Sequence, residues 1–369
     1  MELLARARDL AATLPTHTEH HERERRLAPE VVAALRDGGF LQVLLPRELG
    51  GHALPAPAYV ELLATLAAGD AATAWCVMTA STSTLLAAYL DRDEARAIWA
   101  GAPAPFLAGI FAPGGRGQAD GDELRLSGRW PYASGCRHAD WVAVGALVDD
   151  GAGPRHVVCF LPATAPGVQI VDHWDTLGLG GTGSHDLVVD DVRVPRRRIT
   201  SVFDRAPWAR DALSRLPLFG LLAAGVAACG LGIAARAAAT VGDHLTAGRE
   251  PPPSTVLARH GAVHAQLGAA RAYLLAVAGR AQTAAEAGPV TAAVRGELRL
   301  AACHAAEQSA AVARAAFHLA GGAAVRAGHP LERCLRDAEM VLTHRMVADR
   351  VIPAATRAVI GVGVVPPEL

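Results

Sequence analysis

Two abrupt changes of residue pattern, near positions 106 and 205, divide the chain into segments that must fold differently. Up to about 105, stretches such as PEVVAALRDGGF and the apolar run from Tyr59 to Leu90 are dominated by Ala and Leu, with few β-branched residues, which favours helix. Between 106 and 205 the runs ELRLSGRW, DWVAVGALV, RHVVCFLP, GVQIVDHW and DLVVDDVRVP are short, Val-rich and bounded by Gly, Pro and Asp, the pattern of antiparallel strands and turns. After Pro207 the Ala/Leu pattern returns and predicts four long helices, over 211–248, 254–287, 289–321 and 330–359. The prolines at 251–253 and the glycines at 321 and 322 punctuate them, because proline cannot continue a helix and glycine commonly ends one. The expected fold is therefore α+β and mostly α. It has an N-terminal helical domain (1–105), a small central antiparallel β domain (106–205) and a C-terminal four-helix bundle (206–369).

Composition narrows the ligand. With 51% hydrophobic residues and a formal net charge of -1, the chain can build sizeable cores but has no basic field, so neither nucleic acid nor an anionic lipid surface is an expected partner. No uncharged run is read as membrane-spanning, and the N-terminus lacks the apolar core of a signal peptide. The six cysteines (76, 136, 159, 229, 303 and 334) form no CxxC pair, which argues against a zinc ribbon or a disulfide framework and for a reducing cytoplasm. A small metabolite or a protein partner is expected instead.

Several motifs invite chemistry. GLGGTGSHD at 178–186 contains a literal G-x-G-x-x-G, but a strand pattern follows it, whereas a dinucleotide turn opens a helix. A β-domain loop is the expected structure. The second Gly-rich stretch, GIFAPGGRGQADGDE at 109–123, is read as a loop without the Lys-Ser ending of a phosphate loop. His17, His20 and His21 are expected on a solvated helix face, and His260 with His264 in a surface or packing role; no metal site is expected. RWPYASGCRHADW at 129–141 clusters Trp130, Tyr132, Ser134 and Trp141 and admits two readings. One is ordinary β-domain core; the other is a grip on a flat heteroaromatic cofactor, with a hydroxyl at a ring edge.

Taken in order, AATAWCVM (71–78), SGRWPYASGCRHADWVAVGA (127–146), WDTLGLGGTGSHDLVVDDVRVP (174–195) and HPLERCLRDAEM (329–340) resemble the acyl-CoA dehydrogenase superfamily over almost the whole chain. In dehydrogenases of that superfamily a carboxylate removes a proton α to a thioester. Aligned on Arg336 and Asp337, the position of the usual glutamate is Arg345, preceded by His344, and the alternative site in LPLFGLLAAGVAACG holds no acid. The chain is thus similar to the flavin-dependent monooxygenase branch, whose two-component oxygenases take reduced FMN or FAD from a separate flavin reductase and use O2. The resemblance implies transfer of one oxygen atom from a flavin C4a-hydroperoxide to a small organic molecule, by aromatic hydroxylation or N-oxygenation. It implies Ser134 at flavin N5 and His344 as a base or hydrogen-bond donor toward substrate or peroxide. Trp130, Tyr132, Gly183, Ser184 and Arg249 are implied at the cofactor, and a homotetramer is expected. An acyl-CoA or acyl-carrier-protein dehydrogenase with a displaced base, and a flavin-free scaffold, are the alternatives.

Overall fold

The computed structural model describes residues 2–101, 103–149, 153–247 and 251–363. Six helices come first: α1 (Glu2–Thr13), α2 (Thr18–Glu24), α3 (Pro29–Asp37), α4 (Ala56–Gly69), α5 (Ala71–Thr84) and α6 (Arg92–Trp99). Seven strands follow: β1 (Leu107–Asp120), β2 (Glu123–Ala133), β3 (Trp141–Asp149), β4 (Pro154–Pro162), β5 (Val168–Val171), β6 (His185–Pro195) and β7 (Ile199–Thr200). The chain ends in a second set of helices: α7 (Ala212–Arg215), α8 (Leu218–Thr246), α9 (Ser254–Ala287), α10 (Ala292–Ala320), α11 (Pro330–Leu342) and α12 (Ile352–Ile360).

The strands form one sheet in the order β5-β6-β2-β1-β3-β4-β7. Neighbouring strands run antiparallel except β1 and β3, which are parallel, with the register slipping around Pro113. A proline cannot donate to the ladder, so a bulge there is expected. The stretch from Gly109 read as a glycine-rich loop is in fact the body of β1. Two of its glycines make room for Trp130: a Cβ on Gly114 would lie 2.7 Å from the indole and one on Gly115 2.3 Å.

Alternate residues of the central strands enter different cores, as a period of two requires. Val142, Val144, Val157, Cys159 and Leu161 pack with Trp130 inside the β region. Ala143, Val158 and Phe160 face the other way, into a core that also contains residues of α1, α3, α4, α5, α8, α10 and α11. The N-terminal helices and the bundle therefore share one core.

Two sequence readings are corrected here. The chain carries no charged side chain between Arg215 and Arg236, and α8 is long and apolar enough to cross a membrane by composition. Most of that stretch is buried against other helices. Its small residues serve close packing, since a Cβ on Gly232 would meet the Ala64 carbonyl of α4 at 2.3 Å. Second, the predicted helix over 330–359 is broken: α11 stops at Leu342, and residues 343–348 form a turn before α12.

Candidate active site

The buried helix α5 sets the position of the site. Asp70 caps it, accepting from the Thr73 N–H at 2.8 Å and the Thr73 hydroxyl at 2.6 Å, and it also bonds His21 Nδ1 at 3.0 Å. Burial pushes the Asp70 carboxyl up, but the His21 and Thr73 bonds outweigh it and hold it below its ordinary range. His21 is thus no solvated residue; it ties α2 to the start of α5. One turn along α5, Trp75 projects between the β region and the turn after α11.

Trp75 makes two contacts that join the two residues expected to be catalytic. Its Nε1–H donates to Ser134 Oγ at 3.1 Å, and its ring stands edge-on to His344, with centroids 5.3 Å apart and planes at 80°. Ser134 directly follows β2 and is 5% exposed. Its hydroxyl lies 2.7 Å from Ser184 Oγ, which lies 2.7 Å from Thr182 Oγ1. Thr182 in turn donates to the Leu179 carbonyl at 2.8 Å. The four polar side chains come from three separated segments and form one continuous chain of hydrogen bonds.

His344 sits in the turn, not on a helix. The Met346 N–H donates to its Nδ1 at 3.3 Å, so in the neutral ring Nε2 carries the proton. Arg299, buried on α10, donates to the Met346 carbonyl at 3.2 Å and fixes the same turn. Burial, with the Arg345 and Arg299 charges, pulls the His344 pKa down to about 4. At pH 7 the ring is neutral, with Nε2–H as its donor, which suits the hydrogen-bonding one of the two roles expected for it.

The remaining predicted residues divide. Trp130 is 0% exposed, with Nε1–H on the Gly145 carbonyl at 2.7 Å, so it is β-region core and presents no face to a cofactor. Tyr132, two residues on, is 69% exposed, at φ 68°, with its ring edge-on to Trp174. Residues two apart on a regular strand share a face, so it is the positive φ of Tyr132 and the register break between Trp130 and Ala133 that turn Tyr132 outward. Gly183 is buried at φ 51°, with the Arg25 carbonyl where a Cβ would go, 2.5 Å away; it serves the turn. Ser184 is buried behind Ser134 rather than open to a ligand. Arg249 lies outside the described residues. Sequence reading missed Trp75, Thr182 and Arg299 as parts of this cluster. For Trp75 a signal existed, a lone large aromatic in the otherwise small-residue run AATAWCVMTASTST.

No carboxylate bonds Trp75, Ser134, Ser184 or His344 among the described residues, and Arg345 is exposed. Of the acids on α11 closest to the turn, Glu339 pairs with Arg314 and Asp337 accepts the Leu179 N–H at 2.6 Å. A family model described as the acyl-CoA dehydrogenase N-terminal domain matches residues 1–94, and one described as its C-terminal domain matches 224–349. Indole-3-acetate monooxygenase of Pseudomonas putida is 32% identical over 344 residues, covering 89% of this chain and 86% of that protein. The chain belongs to the acyl-CoA dehydrogenase superfamily, in its flavin-dependent monooxygenase branch. The oxygenase component of an FADH2-dependent resorcinol hydroxylase from a Rhizobium species is 31% identical over 253 residues, 66% of this chain and 62% of that protein. Among solved structures, XiaF from a Streptomyces species, in complex with FADH2 and glycerol, superposes with a TM-score of 0.91 at 24% identity. The match covers 100% of this chain and 97% of that one.

Proposed function

We propose that the chain is the oxygenase component of a two-component system, taking reduced FMN or FAD from a separate reductase and oxygenating a small aromatic molecule by ring hydroxylation or N-oxygenation. The observation that carries this reading is the site's donor set: a neutral His344 with Nε2–H, joined through Trp75 to Ser134, and no bonded carboxylate. Removal of a proton α to a thioester needs a base that this cluster does not supply. The relatives named for resorcinol and for indole-3-acetate support an aromatic substrate.

The residues present fit a reduced flavin. Ser134 offers a hydroxyl oxygen for N5, and Tyr132 an exposed aromatic face beside it. When bound, reduced flavin activates O2 and supplies the oxygen atom. His344 contributes one neutral hydrogen-bond donor, held in place by the Met346 N–H and, through Met346, by Arg299. Trp75 lies between Ser134 and His344, bonded to the first and edge-on to the second. We assign the chain to a reducing cytoplasm, a reading supported by six buried, unpaired thiols, and to a homotetramer by its family.

The test is turnover with a generic flavin reductase, NADH, isotopically labelled O2 and a panel of phenols and indoles. Labelled product is expected, and His344→Ala should lower product per NADH by about 10–100-fold while hydrogen peroxide rises, the cost of one charge-sensitive hydrogen bond. Absence of label from every product, together with bleaching of oxidised flavin by an acyl-CoA without reductase, would establish the dehydrogenase instead.

A further inference from the structure

The hydrogen-bond chain behind Ser134 has only one arrangement of its protons. A carbonyl can only accept, so at 2.8 Å from the Leu179 carbonyl the Thr182 hydroxyl must donate there. Its single proton is then committed, and the 2.7 Å contact between Thr182 and Ser184 requires the Ser184 hydroxyl to donate to Thr182. The Ser184 proton is committed in turn, so the 2.7 Å contact between Ser134 and Ser184 requires Ser134 to donate to Ser184. At the other end the Trp75 indole can only donate, and it does so to Ser134. Ser134 therefore gives its only proton away from the site and keeps one lone pair free.

We propose that Ser184 and Thr182 are positioning residues that fix Ser134 as an acceptor, and that this fixed polarity makes the chain select reduced over oxidised flavin. The proposal rests on the reading of Ser134 as the group at flavin N5. N5 of a reduced flavin carries a hydrogen and donates; N5 of an oxidised flavin has only a lone pair and accepts. An acceptor-only Ser134 satisfies the first and opposes the second. The surrounding burial keeps water from substituting for the missing proton, which is what gives an unmade hydrogen bond its weight. The segment that supplies Ser184 and Thr182 is the glycine-rich turn before β6, held against α11 by the Leu179 N–H to Asp337 bond. Its literal dinucleotide motif thus acts by setting a proton's direction.

The test compares dissociation constants for oxidised and anaerobically reduced FMN and FAD, and the midpoint potential of the bound flavin, in the parent chain and three variants. In Ser184→Ala the Ser134 proton is released and can point at oxidised N5. The preference for the reduced form is expected to fall by roughly 10-fold or more, equivalent to a drop of about 30 mV in midpoint potential per factor of ten. Thr182→Val, nearly isosteric, frees the same chain one step further back and should move the ratio in the same direction, which covers the case in which Ser184→Ala fails to fold. Ser134→Ala separates the two layers of the argument. If it changes neither affinity, Ser134 does not face the ring and the underlying reading fails. If it changes reduced-flavin affinity while Ser184→Ala and Thr182→Val leave the ratio and the potential where they were, Ser134 faces the ring but the fixed polarity is wrong.

Discussion

Asp337 is a buried carboxyl whose one bond is a backbone N–H from Leu179. Burial, reinforced by the Asp70 and Glu22 charges, pushes its pKa up to about 7, against the Leu179 bond that favours ionisation. In the unfolded chain the same carboxyl titrates near its ordinary value of 3.8. The folded state therefore holds the extra proton between these values, so the stability this group contributes is greatest below 3.8 and is lost as pH rises through 7. Asparagine cannot ionise and keeps the oxygen that accepts from Leu179. Asp337→Asn should gain on the parent chain by about 2–3 kcal/mol between pH 5 and pH 8. Denaturant unfolding across that range checks it, and a pH-independent difference would remove the buried-carboxyl assignment. The identity of His344 and Ser134 was legible in their motifs. Their electrostatics were legible only in part: Arg345 adjoins His344 in the chain, but Arg299, Leu179 and Trp75 act from far away in sequence.

The elements divide by whether their cause is local. The helices α8 to α10 and the strands follow from composition and punctuation, which act over a few residues. The break after Leu342 does not: the Met346 N–H goes to the His344 side chain and the Met346 carbonyl to Arg299 of α10. Side chains satisfy backbone groups that a continuing helix would have paired, and one of them lies on another helix. For the same reason Asp337 and His344 share no continuous helix face. Gly232 is a second case where a partner element sets the choice. Gly232→Val would drive side-chain atoms into the Ala64 carbonyl and separate α4 from α8. It should lower stability by about 1–3 kcal/mol or more. A thermal midpoint within a degree of the parent would mean that the two helices are not held this close.

At the scale of the whole molecule, the sequence divides by residue pattern while the packing does not follow every division. Residues before the sheet and after it enter one core, which pattern alone cannot reveal because it reports which face is apolar and not what covers it. Apolar side chains also remain outside, with Ile352, Val359, Ile360 and Val362 exposed at the C-terminal end of the described chain. Burial between copies is the expected fate of such a face. Light scattering during gel filtration should return four times the 38.2 kDa chain mass, and a monomer at micromolar concentration would refute the tetramer.

The shared core also bears on how such a chain can be cut or recombined. Trp75 lies before the sheet, Ser134 and Ser184 at its strand ends, and His344 in the turn after α11. A split at the second pattern change would leave α5 in one fragment and the helices that cover it in the other, with neither able to bury its apolar face alone. Grafting the central segment between homologues would exchange the serine hydroxyls without the indole and imidazole they meet. Chimeras of this enzyme should therefore retain activity only when crossover points carry all four segments from one parent.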